Sequence, residues 1–178
     1  MIKTLIVAMD ENRVIGKQGQ LPWAGKMATD MARFKSLTIH HPIIMGSKTF
    51  ESIGNRALPQ RQNVVITRDR MKRFSGAMSE ASLDDALQLV EVAFRPDEVF
   101  IIGGGEIYKE ALSLSDRLYV TIVHTEVAGG DTFFPKIDKN VWKETSHEHF
   151  DADEKNEFEY EFITYERSAR GGSAPGGR

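Results

Sequence analysis

The chain has 178 residues, 40% of them hydrophobic and 28% charged, with a formal net charge of −3 and a pI near 6.0. That length buries a core in one ordinary domain, and the composition is not that of a disordered chain. A slightly acidic balance without a basic stripe argues against nucleic acid as the main partner, and the absence of cysteine excludes disulfides, thiol nucleophiles and zinc–thiolate sites.

The apolar run LIVAM (Leu5 to Met9), followed by the turn-prone DENR, predicts a strand buried on both faces. It is too short for a signal-peptide core or a membrane span, so a cytoplasmic protein with no membrane partner is expected. VIGKQGQLPWAGK reads as a loop punctuated by Gly16, Gly19, Pro22 and Gly25. Within it, Trp23 is either plain packing or a lid over a flat ligand.

An amphipathic helix follows in MATDMARFKS. At about 100° per residue, Met27, Met31, Phe34 and Leu37 share roughly a third of a turn, and Asp30 falls inside that arc. Two accounts of this acid are open. Lys26 and Arg33 stand at i−4 and i+3 and would make an ordinary ion pair. Alternatively, a carboxylate among apolar neighbours meets a cationic or hydrogen-donating ligand, because an unpaired buried charge is costly.

PIIMG predicts a second buried strand running into a short helix at SKTFESIG, and NVVIT (Asn63 to Thr67) a third strand. SLDDALQLVEVA predicts a helix with Leu83, Ala86, Leu87 and Val90 on one face, its start marked by Ser82 with Asp85 three residues on. EVFIIGGGEIYKEAL reads as strand, glycine turn and helix, and RLYVTIVHTEV as a strand. In EFEYEFITYE the alternation of Phe158, Tyr160 and Phe162 with Glu157, Glu159 and Glu161 predicts an antiparallel strand. It should pair with WKETSHEHF across the polar turn DADEKN. SARGGSAPGGR, residues 168–178, has no core anchor and is set aside as a tail.

Strands alternating with helices predict a mostly parallel sheet with an antiparallel edge. Ligands in such sheets sit at the carboxyl ends of the strands, which singles out the turns after Met9, at Gly46-Ser47 and at Gly103-Gly104-Gly105. The triple glycine is either a phosphate cradle or a tight strand-to-helix turn; it matches neither the Rossmann fingerprint nor a Walker A loop. Lys48 with Thr49 is either a second phosphate contact or a solvated helix start, and Arg68 adds a cation at the same end of the sheet. Two such cations would suit the 2′-phosphate that separates NADP from NAD. His147 and His149, at i and i+2, share a strand face, but no third ligand is evident and no metal is expected.

Taken in order, VAMDENRVIGKQGQLPW, TDMARFK, IIMGSKTFESIG, ALPQRQNVVITR, VFIIGGGEIY and GGDTFFP resemble dihydrofolate reductase of the bacterial chromosomal type, from about Ile2 to Arg167. The resemblance implies one α/β domain over residues 1–167, around a mostly parallel eight-stranded sheet with an antiparallel C-terminal strand and helices on both faces. It implies NADPH-dependent reduction of 7,8-dihydrofolate to tetrahydrofolate for one-carbon metabolism, and inhibition by antifolates of the methotrexate and trimethoprim class. A monomer is expected.

By the same resemblance Asp30 is the ionisable group of the pterin pocket, steadied by Thr121. Leu21 and Trp23 belong to the lid, beside which water reaches N5. Ala8, Leu21, Met31, Phe34, Ile53, Leu58 and Ile102 would line the pocket, with Tyr108 approaching the nicotinamide region and Arg61 pairing with the glutamate tail. Ala8, Ile15, Gly46, Ser47, Lys48, Thr49, Thr67, Arg68, Gly103, Gly104, Gly105, Glu106 and Ile107 would bind the cofactor. The family joins Gly103 and Gly104 by a cis peptide. Ser47 stands where many relatives carry arginine, which shifts weight to Lys48 and Arg68. The stretch between Trp23 and Asp30 is about two residues longer than is common. The rival readings are another reductase on the scaffold that the resemblance implies, such as the riboflavin-pathway pyrimidine reductase, and, from a different class, a non-catalytic nucleotide-binding module.

Overall fold

The computed structural model describes residues 1–168, so the expected tail lies outside the described residues except for Ser168, whose N–H donates to the Val141 carbonyl at 2.8 Å. In chain order the elements are β1 (Ile2–Asp10), β2 (Val14–Gly16), α1 (Ala28–Thr38), β3 (Ile43–Gly46), α2 (Ser47–Ser52), β4 (Asn63–Ile66) and β5 (Met78–Glu80). There follow α3 (Leu83–Phe94), β6 (Glu98–Ile101), α4 (Gly105–Ala111), β7 (Arg117–Val123), β8 (Thr132–Phe133), β9 (Trp142–Phe150) and β10 (Tyr160–Arg167).

Eight strands form one sheet in the order β5-β4-β3-β6-β1-β7-β10-β9. Every neighbouring pair from β5 to β7 is parallel, and β10 runs antiparallel to both β7 and β9. The fold class and the C-terminal hairpin are therefore as the sequence predicts, with β10 beginning at Tyr160 rather than at Glu157. Three elements depart from the expectation. Val14–Gly16 is a strand inside the presumed loop and pairs with β8 in a separate two-stranded sheet, and β5 extends the main sheet beyond β4. All three are two or three residues long, too short for a hydrophobic period to register.

Alternation along the central strands sorts the core into two layers, as expected of strands covered on both faces. Leu5, Val7, Ile44, Val64, Val99 and Ile101 face α3 and α4, joining Leu83, Ala86, Leu87, Val90, Tyr108 and Ala111. Ile6, Ile43, Met45, Val65 and Phe100 face the other way, against Phe50 of α2 and Phe34 and Leu37 of α1. Ser82 caps α3, its hydroxyl accepting from the Asp85 N–H at 3.1 Å.

Helix α1 has no such local cap at Met27. The β9–β10 turn supplies one across the chain: Asn156 accepts from the Thr29 N–H at 3.0 Å and donates to the Thr29 hydroxyl at 2.9 Å. Ala28 N–H donates to Lys155 O and Glu157 N–H to Lys26 O. Asn156 is fully buried, so the polar stretch DADEKN, read as a plain turn, is also the clamp on the start of α1.

Candidate active site

The strands β3, β6 and β1 are neighbours, so the three turns expected to bind ligand lie side by side at one end of the sheet. Two of them are bonded directly, the Gly46 N–H donating to the Gly103 carbonyl at 2.8 Å. Gly103 and Gly104 are joined by a cis peptide, as the resemblance implies. Gly103 has φ +116°, a conformation that side chains rarely adopt, and a Cβ there would stand 3.0 Å from the Tyr108 ring. A Cβ on Gly104 would stand 3.3 Å from the Thr49 hydroxyl. A side chain at either position would crowd Tyr108 or Thr49, so the packing of this turn itself calls for glycine.

Asp30 projects from the first turn of α1 toward β7, where the Thr121 hydroxyl donates to its Oδ1 at 2.6 Å. Leu21, Trp23, Met27, Asp30 and Met31 line a cleft of about 290 Å³. Burial pushes the Asp30 carboxyl above the usual carboxylate range, against the pull of the Thr121 hydrogen bond and the nearby Arg33 charge.

The ion-pair account of this acid does not hold. Lys26 pairs instead with Glu157 at 2.9 Å, and the Arg33 guanidinium lies over the Phe162 ring, 4.2 Å from its centroid. Among the described residues Asp30 forms no salt bridge. What remains is a recessed carboxylate with one donor on it and a cleft in front.

Trp23 and Met27 are buried with Tyr160 and Phe162, and Ala8 and Leu21 pack at the margin of that cluster. Phe34, Ile53, Leu58 and Ile102 edge the neighbouring cluster around Phe50 and Phe100. Of the expected pocket residues, Leu21 and Met31 line the cleft with Asp30, and Met31 is more than half exposed there. Tyr108 stands apart from the open wall. It is buried under the Gly103 turn, its hydroxyl donating to the Ile6 carbonyl at 2.7 Å and its ring edge-on to Phe134. Burial and then the Asp30 charge push its phenol far up, so it stays neutral.

Arg61 is held at the far end of α1. Its Nη1 donates to the Thr38 hydroxyl at 2.9 Å and its Nε to the Pro59 carbonyl at 3.0 Å, which fixes the plane of the guanidinium. Ser47 and Thr49 begin α2, while Lys48 and Arg68 are exposed and form no ion pair among the described residues. Thr67 is tied to β5 through its N–H on the Glu80 carbonyl. Ile15 and Ile107 pack against the α3–α4 core, and Glu106 is exposed in the first turn of α4.

The glycine-punctuated loop is anchored to the segment around β8, which the sequence reading did not anticipate. The Gln18 N–H donates to Asp131 Oδ2 at 2.7 Å, Asp131 N–H to Gly16 O at 3.0 Å, and Lys17 Nζ to Ala128 O at 2.6 Å. Asp10, fully buried at the end of β1, gathers the Asn12, Val14 and Val127 N–H groups on one carboxylate. The Asn12 and Val14 bonds to Asp10 are local, whereas the Val127, Asp131 and Ala128 links join positions more than a hundred residues apart, and no local pattern signals those. The longer stretch after Trp23 turns at Gly25 (φ +77°) and is fastened by the Lys26–Glu157 pair.

Comparison with known proteins agrees with this geometry. The dihydrofolate reductase family model matches residues 1–167. The chain is 45% identical to a dihydrofolate reductase of Bacillus subtilis over 164 residues, covering 92% of this chain and 94% of that protein. It is 41% identical to the type 3 dihydrofolate reductase of Salmonella typhimurium over 167 residues, covering 94% and 99%. The structure superposes on a dihydrofolate reductase from Enterococcus faecalis, solved with NADP(H) and RAB-propyl, with a TM-score of 0.83 at 36% identity. That match covers 93% of this chain and 96% of the other. The chain belongs to the dihydrofolate reductase family.

Proposed function

We propose that the recessed Asp30 carboxylate, with Thr121 donating to it, receives the 2-amino and N3 edge of a pterin ring, and that this protein reduces 7,8-dihydrofolate to tetrahydrofolate with NADPH. The observation that carries the reading is the 2.6 Å Thr121–Asp30 hydrogen bond in a cleft where, among the described residues, the acid forms no salt bridge. One oxygen is engaged by Thr121, which leaves carboxylate valences for ring N–H groups. In a low-dielectric wall such charge-assisted bonds are strong.

When bound, NADPH supplies the hydride that reaches C6 of the pterin. The chain's own residues do the rest. Gly103 and Gly104 admit the pyrophosphate, Thr49 lies beside that turn, and Lys48 and Arg68 furnish free positive charge for the 2′-phosphate. Ala8, Phe34, Ile53, Leu58 and Ile102 wall the ring in place. Leu21 and Trp23 exclude bulk water while admitting the single molecule that protonates N5, which Asp30 favours by its charge. Arg61 takes the α-carboxylate of the glutamate tail.

The same reading makes the protein a cytoplasmic monomer acting on small molecules, and a target of diaminopyrimidine and pteridine antifolates. Among the described residues no helix is long and apolar enough to cross a membrane. The test is the loss of NADPH absorbance on adding dihydrofolate, with and without methotrexate. Methotrexate-sensitive turnover supports the reading. Cofactor binding without turnover would leave a nucleotide-binding module, and turnover of a pyrimidine instead would leave the same-scaffold reductase.

A further inference from the structure

On the sheet face opposite Asp30, three histidines surround one carboxylate. Thr121, Tyr160 and Phe162 face α1, whereas Ile122 and Ile163 face the other core layer, and Glu161 and His124 follow that second alternation. Glu161 lies directly across from His149 on β9, and Ile163 across from His147. His124 follows the end of β7, its N–H bonded to the Glu159 carbonyl.

The imidazoles are oriented from behind. His124 Nδ1 stands 3.0 Å from a Glu11 oxygen, and His147 Nδ1 stands 3.1 Å from a Glu144 oxygen. A carboxylate only accepts, so both Nδ1 atoms carry hydrogen, and each Nε2, which faces the Glu161 carboxylate in turn, carries a proton, which at His124 a bound cation would displace. His147 Nε2 reaches Glu161 Oε2 at 3.0 Å. His124 Nε2 stands 3.2 Å from Oε1, yet it is buried and makes no hydrogen bond among the described residues. His149 Nδ1 approaches the same oxygen at 3.7 Å. The orphaned nitrogen, the second imidazole and the carboxylate oxygen all lie within 4.8 Å of one another.

We propose that His124 Nε2, His149 Nδ1 and Glu161 Oε1 form a binding site for a zinc ion. In tetrahedral coordination with bonds of about 2.0–2.2 Å, ligand atoms stand about 3.4 Å apart. The two separations from Glu161 bracket that value, so small rotations, above all of the exposed His149, bring the three atoms to coordination distance and leave the fourth position to water. Imidazole and carboxylate together select zinc over magnesium or calcium. Glu11 is the outer partner that fixes the His124 tautomer, and His147 holds the other oxygen of Glu161. The ion would staple β7, β10 and β9, and through Glu11 the loop that follows β1. It takes no part in reduction.

Isothermal titration of the full chain with zinc chloride, the active site saturated with NADPH and methotrexate, tests the site. One zinc per chain with micromolar or tighter affinity is expected, together with a rise in melting temperature. Glu11→Gln should weaken binding by about 10–100-fold, and His124→Gln and His149→Gln by at least as much, with turnover unchanged. A second group, His149 with Asp151 and Glu159, shares one ligand. Combined Asp151→Asn and Glu159→Gln should leave the affinity as it was. No saturable zinc binding, binding indifferent to His124→Gln, or binding lost in the combined Asp151→Asn and Glu159→Gln variant, overturns the assignment.

Discussion

The Thr121 hydroxyl, on the fifth residue of β7, donates a 2.6 Å hydrogen bond to Oδ1 of Asp30 in the first turn of α1. The contact spans 91 positions of sequence and fixes where the carboxylate points. Replacing Thr121 by Val keeps the shape and removes the donor. A hydrogen bond to a charged group contributes about 1.5–3 kcal/mol, so dihydrofolate and diaminopyrimidine inhibitors should bind about 10–100-fold more weakly. Isothermal titration on Thr121→Val checks this, with NADPH affinity as the quantity that should stay put.

The raised pKa of Asp30 has a consequence for stability. Between the ordinary aspartate range and its raised folded value, the folded chain holds a proton that the unfolded chain has released. Stability contributed at this position therefore falls as pH rises through that window. Asp30→Asn removes the loss. In the absence of ligands this variant should melt above the parent at neutral pH, the gap closing as the solution is acidified below the ordinary aspartate range. Calorimetry across pH measures the gap, and a variant that melts lower at neutral pH contradicts it.

Lys48 and Arg68 are exposed cations without ion-pair partners among the described residues, at the carboxyl ends of β3 and β4. Changing both to Ala should weaken NADPH by about tenfold or more while leaving NADH nearly unchanged, since only the former carries the 2′-phosphate. Fluorescence titration with the two cofactors separates the cases.

Asn156 holds the start of the helix that carries Asp30. Its replacement by Ala leaves the Thr29 N–H and hydroxyl without their partner, a loss of about 2 kcal/mol. The melting temperature should fall by about 4–8 °C. Because Asp30 lies one residue beyond Thr29, KM for dihydrofolate should rise more than KM for NADPH.

The contrast between Asn156 and Asp30 shows what was legible. Asp30 was conspicuous because helix periodicity is a local rule, and a carboxylate inside an apolar arc breaks it visibly. The strands buried on both faces, the Ser82 cap and the C-terminal hairpin were readable for the same reason. Which account of Asp30 was right depended on Arg33 choosing Phe162 and Lys26 choosing Glu157, partners that the sequence separates by more than a hundred positions. Asn156 sat in what looked like an ordinary polar turn. The anchoring of Gln18 by Asp131 and the bond from the Val127 N–H to Asp10 are likewise non-local. His147 and His149 share a strand face by their spacing, but it is the pairing of β9 with β10 that sets Glu161 beside them, and His124 comes with β7.

Single-turnover hydride transfer in Asp30→Asn, with dihydrofolate and NADPH both saturating at neutral pH, bears most directly on the pterin-gripping role of this carboxylate. The account predicts a folded, NADPH-binding variant whose transfer step is slower by about a hundredfold or more. A rate equal to that of the parent chain would contradict it.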